Sequence, residues 1–70
     1  MTRTDSYRKV EAVRHGEVTY RPGDGVSVKA GRFVRYGSIT ELFEAESGHW
    51  ARVRFGHGTE MVSFSRVRPL

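Results

Sequence analysis

The amino-acid sequence predicts an all-β fold in a single small domain. Short runs of valine, isoleucine, tyrosine and phenylalanine recur between breaks that contain glycine. No segment repeats apolar residues at the helical period over the roughly ten positions that a helix needs. A chain of 70 residues has room for one domain, which we expect at residues 7–70 after a flexible N-terminus at residues 1–6.

The N-terminal part of the domain, residues 8–20, is expected to form a hairpin or an extended strand segment. Its pattern places Val10 on one face with either Ala12 or Val13, and Gly16 begins a turn into a second short strand.

The motif RPGDG at residues 21–25 predicts a tight turn, because proline presets φ and glycine accepts positive φ. The next strand places Val26 and Val28 on one face and turns at Ala30 and Gly31.

The longest predicted strand covers residues 34–44. Ile39 and Leu42 lie three positions apart, so strict alternation cannot direct both side chains inward. We therefore expect a bulge or a sharp coil near Thr40 and Glu41, with strong bending of the kind that a small barrel requires.

Residues 49–55, HWARVRF, predict a strand with two different faces. Ala51, Val53 and Phe55 form the expected inner face, whereas Trp50, Arg52 and Arg54 form the expected outer face. The motif GHG then turns the chain into the last long strand, TEMVSF.

The C-terminal segment SRVRPL predicts a short 3₁₀ turn and a closing strand, with Val67 and Leu70 filling the barrel end. Five short strands, a long bent second strand and a terminal turn are typical of a small SH3-like five-stranded barrel. The N-terminal residues would form a β extension of that barrel.

The charge balance favours a polyanionic partner. Twelve lysines and arginines against eight acidic residues give a formal net charge of +4 and a pI near 10.1. Arginine predominates, and its planar guanidinium matches phosphate and carboxylate. Ordinary solubility is the alternative explanation of this charge.

Composition also excludes several classes of site and location. The absence of cysteine excludes disulfides, thiolate zinc sites and a cysteine nucleophile. No stretch approaches the roughly 20 apolar residues of a membrane helix, and the N-terminus lacks the apolar run of a signal peptide. We expect a location inside a cell and no membrane partner.

Catalytic and metal-binding patterns are absent from the sequence. The spacing of the three histidines, His15, His49 and His57, fits no metal motif. No nucleophile-elbow pattern surrounds Ser63 or Ser65, which could otherwise be combined with His57 and Asp24 in a triad. We expect a protein that is not an enzyme and needs neither metal nor cofactor.

A first candidate site is an aromatic pocket at one mouth of the barrel. Phe33, Tyr36 and Phe55 should converge there, and Asp24 or Glu60 could supply a counter-charge. Such a cage binds a methylated ammonium by cation–π attraction. In the alternative, Phe33, Phe43 and Phe55 belong to the core that a small domain needs.

A second candidate site is the outer face of the strand at 49–55. Trp50, Arg52 and Arg54, extended by Arg35, Arg66 and Arg68, could stack bases and neutralise phosphates. The alternative is a solvated wall on which arginine stems cover Trp50.

Several motifs resemble the bromo-adjacent homology (BAH) domain of chromatin proteins. They lie in YRKVEAVRHGEVTYRPGDGVSV at 7–28 and YGSITELFEAESGHWARVRF at 36–55. The matching positions are Tyr7, Gly23, Asp24, Val26, Val28, Ile39, Leu42, Phe43, Glu44, Arg52, Val53 and Phe55. The end of the chain, GHGTEMVSFSRVRPL, resembles the last two strands and closing turn of Tudor domains.

This resemblance implies a chromatin-associated interaction module in the nucleus. It would bind a histone tail, with methylated lysine as the candidate side chain, through Phe33, Tyr36 and Phe55. Binding of DNA or RNA by the arginine and tryptophan face is the alternative function. A structural or protein–protein module is a third, and the sequence leaves the oligomeric state open.

Overall fold

Residues 6–70 form eight β-strands and one 3₁₀ turn. The computed structural model describes residues 6–70, and 69% of them lie in strands. The strands are β1 (Arg8–Val10), β2 (Val13–His15), β3 (Val18–Tyr20), β4 (Gly25–Ala30), β5 (Phe33–Ala45), β6 (Gly48–Phe55), β7 (Gly58–Ser63) and β8 (Val67–Pro69). The all-β prediction is confirmed, whereas the predicted flexible segment at 1–6 lies outside the described residues except for Ser6.

The strands form two antiparallel sheets. The larger sheet has the order β7-β6-β5-β4-β8, and β1 pairs with the far end of β5. The smaller sheet is the hairpin of β2 and β3. Among residues 6–70 no backbone ladder joins β7 to β8, so hydrogen bonds do not close the larger sheet.

The N-terminal residues form both a hairpin and an extension. Gly16 lies at φ +65° in the two-residue loop between β2 and β3, where a two-residue hairpin favours glycine. The hairpin buries Val13 and Tyr20 against the core of the larger sheet. The extension is β1, in which Val10 pairs with Leu42 on β5.

Strand β5 is the common element of the larger sheet. Its first part pairs with β4 as far as Ser38, and its second part pairs with β6 from Ser38 onward. The register shifts between Ile39 and Glu41, and the Thr40 hydroxyl donates a hydrogen bond of 3.1 Å to the Arg52 carbonyl. The predicted bulge is confirmed, and it allows both Ile39 and Leu42 to be buried.

The core lies on the concave face of this sheet. Alternation on β4 and β6 buries Val26, Val28, Ala51, Val53 and Phe55, as their spacing predicts. The remaining core residues are Val13, Tyr20, Ile39, Leu42, Val62, Phe64 and Val67. The ring of Phe64, on the 3₁₀ turn at Phe64–Arg66, packs edge to face against Tyr20 at 5.1 Å between centroids.

The prediction that Leu70 fills the barrel end is wrong. Its partner in that prediction, Val67, is buried, but Leu70 is 76% exposed. The last ladder pair of β8 joins Pro69 to Val26, so Leu70 lies beyond the pairing and sits over Gly25. Gly25 belongs to the outward-facing set of β4, and Leu70 consequently lies outside the core.

Gly37 allows β5 and β6 to approach each other closely. A Cβ atom at this position would lie 2.5 Å from the Arg54 carbonyl oxygen and 2.7 Å from Cγ1 of Val53. The first of these atoms belongs to the backbone and cannot move aside without disturbing the ladder. The absence of a side chain at Gly37 is therefore a steric requirement of the fold.

We predict that Gly37→Ala lowers the free energy of unfolding by about 1–3 kcal/mol, the usual cost of overpacking a fitted site. The matched control is Gly25→Ala, whose new Cβ would meet only the movable end of Leu70. That control should stay within about 0.5 kcal/mol of the parent protein. Urea unfolding followed by Trp50 fluorescence measures both, and equal stabilities would contradict the steric requirement.

Candidate functional site

An arginine lies over an aromatic ring at one end of the concave face of the larger sheet. We call this end, formed by Arg35, Phe55, His57 and Glu60, the mouth. The guanidinium carbon of Arg35 lies 3.9 Å from the ring centroid of Phe55, which is 5% exposed. The same guanidinium donates a hydrogen bond of 2.5 Å to a carboxylate oxygen of Glu60. The ring of His57 is stacked nearly parallel to that of Phe55 at 6.3 Å, and its Nε2 lies 3.2 Å from Arg35 Nη2.

Strand alternation brings these groups together. Arg35 is in phase with buried Ile39 on β5, and Glu60 is in phase with buried Val62 on β7. Both side chains therefore point toward the concave face, from strands that are separated by β6. The ion pair crosses the mouth of the sheet and covers Phe55. The guanidinium of Arg35 thus occupies the position over Phe55 in which the sequence analysis expected the methylated ammonium of a ligand.

The residues of the predicted aromatic pocket are not brought together. Phe33 is 71% exposed and Tyr36 is 67% exposed, and they lie on opposite faces of β5 because three positions separate them. Asp24 lies in the turn before β4, where its carboxylate accepts a hydrogen bond of 2.9 Å from the Arg21 backbone N–H. Residues 6–70 enclose no pocket. Of the predicted set, only Phe55 and Glu60 share a contact partner, which is Arg35.

The electrostatics of the mouth centre on Glu60. The hydrogen bond from Arg35 lowers the pKa of its carboxyl below the usual 4.5, although partial burial acts in the opposite direction. The charges of Arg35, His57 and Arg66 lower that pKa further. The carboxylate is therefore ionised at neutral pH and balances the Arg35 cation.

Trp50 on the outer face of β6 packs against neighbouring residues. Its indole Nε1–H donates a hydrogen bond of 2.9 Å to the Ser47 hydroxyl. The ring of Tyr7 meets it edge to face at 5.9 Å between centroids, and Tyr7 also contacts Phe43, the cross-strand partner of Trp50. Trp50 thus anchors the segment before β1 and is only partly exposed.

Arg52 lies beside Trp50 in a region of mixed charge. Its Nε lies 3.2 Å from one carboxylate oxygen of Glu41, and the ammonium of Lys9 lies 3.3 Å from the other. Its guanidinium also lies 5.8 Å from the ring centroid of Phe43. Arg52 is consequently ion-paired within the protein, in a carboxylate contact that it shares with Lys9.

Arg54 and Arg68 lie on either side of Tyr36. Arg54 pairs with Ser38 across β5 and β6, two positions along β5 from Tyr36. Tyr36 pairs with Ser27, which pairs in turn with Arg68 on β8. Arg68 also lies close enough to Tyr20 to oppose the rise in the pKa of that tyrosine that burial causes.

Arg66 belongs to a different part of the surface. Its Nε donates a hydrogen bond of 2.8 Å to the Lys29 carbonyl, at the end of β4. Of the predicted nucleic-acid set, Trp50, Arg52 and Arg54 share the outer face of β6, and Arg68 lies on the same sheet face on β8. Arg66 lies apart from them, and Arg35 points toward the concave face instead. The sequence interpretation missed Tyr36 as the residue between Arg54 and Arg68, although alternation from inward Ile39 would have directed it outward.

The basic side chains differ in how they are paired. Residues 6–70 contain eleven lysines and arginines, and four of them form ion pairs with carboxylates: Arg8, Lys9, Arg35 and Arg52. The other seven are exposed and form no ion pair with any carboxylate of residues 6–70. They are Arg14, Arg21, Lys29, Arg32, Arg54, Arg66 and Arg68.

Comparisons of the chain with known protein families, curated proteins and solved structures find no match. Within residues 6–70, no three His, Asp or Glu side chains are grouped so that they could hold a metal ion. The same residues form no helix with the length and apolar character needed to cross a membrane.

We predict that the Glu60 carboxyl titrates with a midpoint below 4.5, because Arg35 stabilises its ionised form. A carboxyl whose pKa is lowered by folding stabilises the protein above its unfolded pKa, and this contribution disappears as the pH falls through the folded pKa. Carbon-detected NMR titration of the Glu60 side chain measures the midpoint. Arg35→Gln should raise it, and a wild-type midpoint at or above 4.5 would exclude the ion pair in solution.

Proposed function

We propose that this chain is a non-enzymatic module that binds nucleic acid through the outer face of its larger sheet. The observation that carries the proposal is that three of the seven exposed basic side chains without carboxylate partners in residues 6–70, namely Lys29, Arg54 and Arg68, lie together on that face. A polyphosphate can contact such side chains without breaking an internal ion pair. Each contact also releases condensed counterions, which is the main source of affinity in nonspecific binding.

We also propose an SH3-like barrel as the architecture. The strand order β7-β6-β5-β4-β8 supports it. Of these five strands, β4 comes first along the chain and β8 comes last, and the two are neighbours in the sheet. A 3₁₀ turn before β8 and a long bent β5 are further support. In this architecture β1 and the β2–β3 hairpin are additions before the barrel.

The arrangement of the serines supports a role without catalysis. The Ser63 hydroxyl accepts a hydrogen bond of 3.3 Å from the Ser65 backbone N–H and thereby caps the 3₁₀ turn. The two hydroxyls also lie 3.2 Å apart. Within the part of the chain that is described, neither serine is hydrogen-bonded to a histidine that could act as its base.

Histone-tail recognition by the aromatic residues stays a prediction. It requires Arg35 to leave Phe55, so that a methylated ammonium could take the place of the guanidinium beside Glu60. Breaking the contacts of Arg35 would oppose such binding. The resemblance to BAH and Tudor domains and the nuclear location that it implies are likewise predictions.

We predict that affinity for a single-stranded oligonucleotide of about 12 nucleotides falls steeply between about 50 and 200 mM salt. The slope of log K against log salt should be about −0.7 for each phosphate contacted. Arg54→Ala should weaken binding and reduce the slope by about 0.7. Fluorescence anisotropy of a labelled oligonucleotide measures both quantities.

The matched control is Arg14→Ala. It removes one exposed arginine that also lacks a carboxylate partner in residues 6–70, but from the separate β2–β3 hairpin. The slope should then stay at the parent value. Binding that is independent of salt, or no binding at low salt, would reject nucleic acid as the partner.

A further inference from the structure

We propose that Tyr36 is the base-stacking residue of this surface and that its ligand is a single-stranded polynucleotide. This inference rests on the proposed nucleic-acid binding and adds to it a particular residue, a particular patch and a strandedness. The sequence analysis assigned Tyr36 to an aromatic pocket for a methylated ammonium and Trp50 to a face that stacks bases. The environments of the two side chains reverse these roles.

The first support is the accessibility of the Tyr36 ring. The side chain is 67% exposed and makes no ring contact with another aromatic residue of the described part. Its outward-facing neighbours on the sheet include Ser27, directly opposite, and Ser38, two positions along β5. Because these side chains are short, they leave the ring open to a planar ligand.

Trp50 offers a poorer surface for stacking. The ring of Tyr7 packs against it, and its indole N–H is already bonded to Ser47. A base could stack on Trp50 only by displacing the segment before β1. The neighbouring Arg52 is held by Glu41, so a phosphate there would compete with an existing ion pair and would be repelled by the carboxylate.

The second support is the distribution of charge around Tyr36. Three basic residues occupy outward-facing positions near it: Lys29 next to Val34, Arg54 next to Ser38, and Arg68 next to Ser27. These ladders place no acidic residue on the outer face between Tyr36 and the three cations. We call Lys29, Tyr36, Arg54 and Arg68 the Tyr36 patch.

The spacing within the Tyr36 patch suits one nucleotide chain. Neighbouring strands lie about 4.8 Å apart, so Arg68 stands about 10 Å from Tyr36 across β4. Arg54 is a diagonal neighbour of Tyr36, at about 7–8 Å between Cα atoms. Two long guanidinium side chains can thus contact the phosphates on either side of a base that stacks on the ring.

An unpaired base is the partner that this geometry fits. Single-strand binding proteins combine basic side chains along the backbone with aromatic rings on which bases stack. In a duplex the bases are already stacked on one another, so an exposed ring on a sheet face gains nothing from them. The shared chemistry of single-stranded DNA and RNA is sufficient for this contact.

The experiment compares substitutions at two aromatic positions on the same strand, Tyr36 and Phe33. Tyr36→Ala should lower the affinity for a single-stranded oligonucleotide by roughly 5- to 150-fold, the usual loss of one base–aromatic stack. Tyr36→Phe should stay close to the wild-type value because the ring is kept. Phe33→Ala is the matched control, since Phe33 is 71% exposed but lies on the opposite face of β5.

Fluorescence anisotropy is measured with labelled single-stranded DNA, single-stranded RNA of the same base order, and the corresponding duplex DNA. We expect the loss in Tyr36→Ala with both single strands and no comparable loss with the duplex, while Phe33→Ala binds like the wild type. The two single-stranded arms show which sugar the patch prefers. Circular dichroism confirms that each variant is folded.

The outcomes separate this inference from the function on which it rests. Wild-type binding that Tyr36→Ala leaves unchanged would reject the Tyr36 patch and leave nucleic-acid binding standing. An equal loss of affinity in Phe33→Ala, or an equal loss with the duplex, would also reject the Tyr36 patch alone. No binding by the wild-type protein at low salt would reject both the patch and nucleic-acid binding.

Discussion

The bulge between Ile39 and Glu41 is the constraint on which the rest of the structure depends. Strand β5 has to pair with β4 at one end and with β6 at the other, and both Ile39 and Leu42 have to be buried. An unbroken alternation would send one of these side chains into solvent, at a cost of about 1.5–3 kcal/mol for an aliphatic residue. Thr40 is the extra residue of the bulge, and it lets both Ile39 and Leu42 point toward the core. The bulge also increases the local bend of the strand. A single curved sheet can then enclose a core that separate flat sheets of this size could not provide.

The same bulge divides the surface of β5 into regions with different electrostatics. Beyond it, Glu41 lies on the outer face and is shared by Lys9 and Arg52, so the basic side chains of this region are already paired with a carboxylate. Before it, the outer face carries Tyr36 with basic neighbours, and the inner face carries Arg35 toward Phe55 and Glu60. The charges of Arg35 and Glu60 at the mouth are thereby paired with each other, and the Tyr36 patch remains available to a ligand. This contrast is the reason that we favour a polyanion over a cationic peptide as the partner.

Much of the fold could be predicted because it follows from local periodicity. The inward sets on β4 and β6, the bulge at Thr40, the β2–β3 hairpin and the terminal 3₁₀ turn all depend on residues within one or two strands. The pairing of β1 with the end of β5, and the position of Leu70 over Gly25, depend on contacts between distant parts of the chain. For the site, alternation identified the outer face of β6. It could not show that Arg35 covers Phe55 or that Tyr7 packs on Trp50, because both contacts join side chains from segments whose relative placement is set by the whole sheet.

The most direct test of single-strand binding by the Tyr36 patch is a map of backbone amide shifts in ¹⁵N-labelled protein titrated with a single-stranded oligonucleotide. We expect the largest changes on the Tyr36 patch and on Ser27 and Ser38, with small changes at the mouth residues Phe55 and Glu60. Changes concentrated at the mouth, around Arg35 and Phe55, would contradict binding by the patch, and so would changes confined to Tyr7 and Trp50.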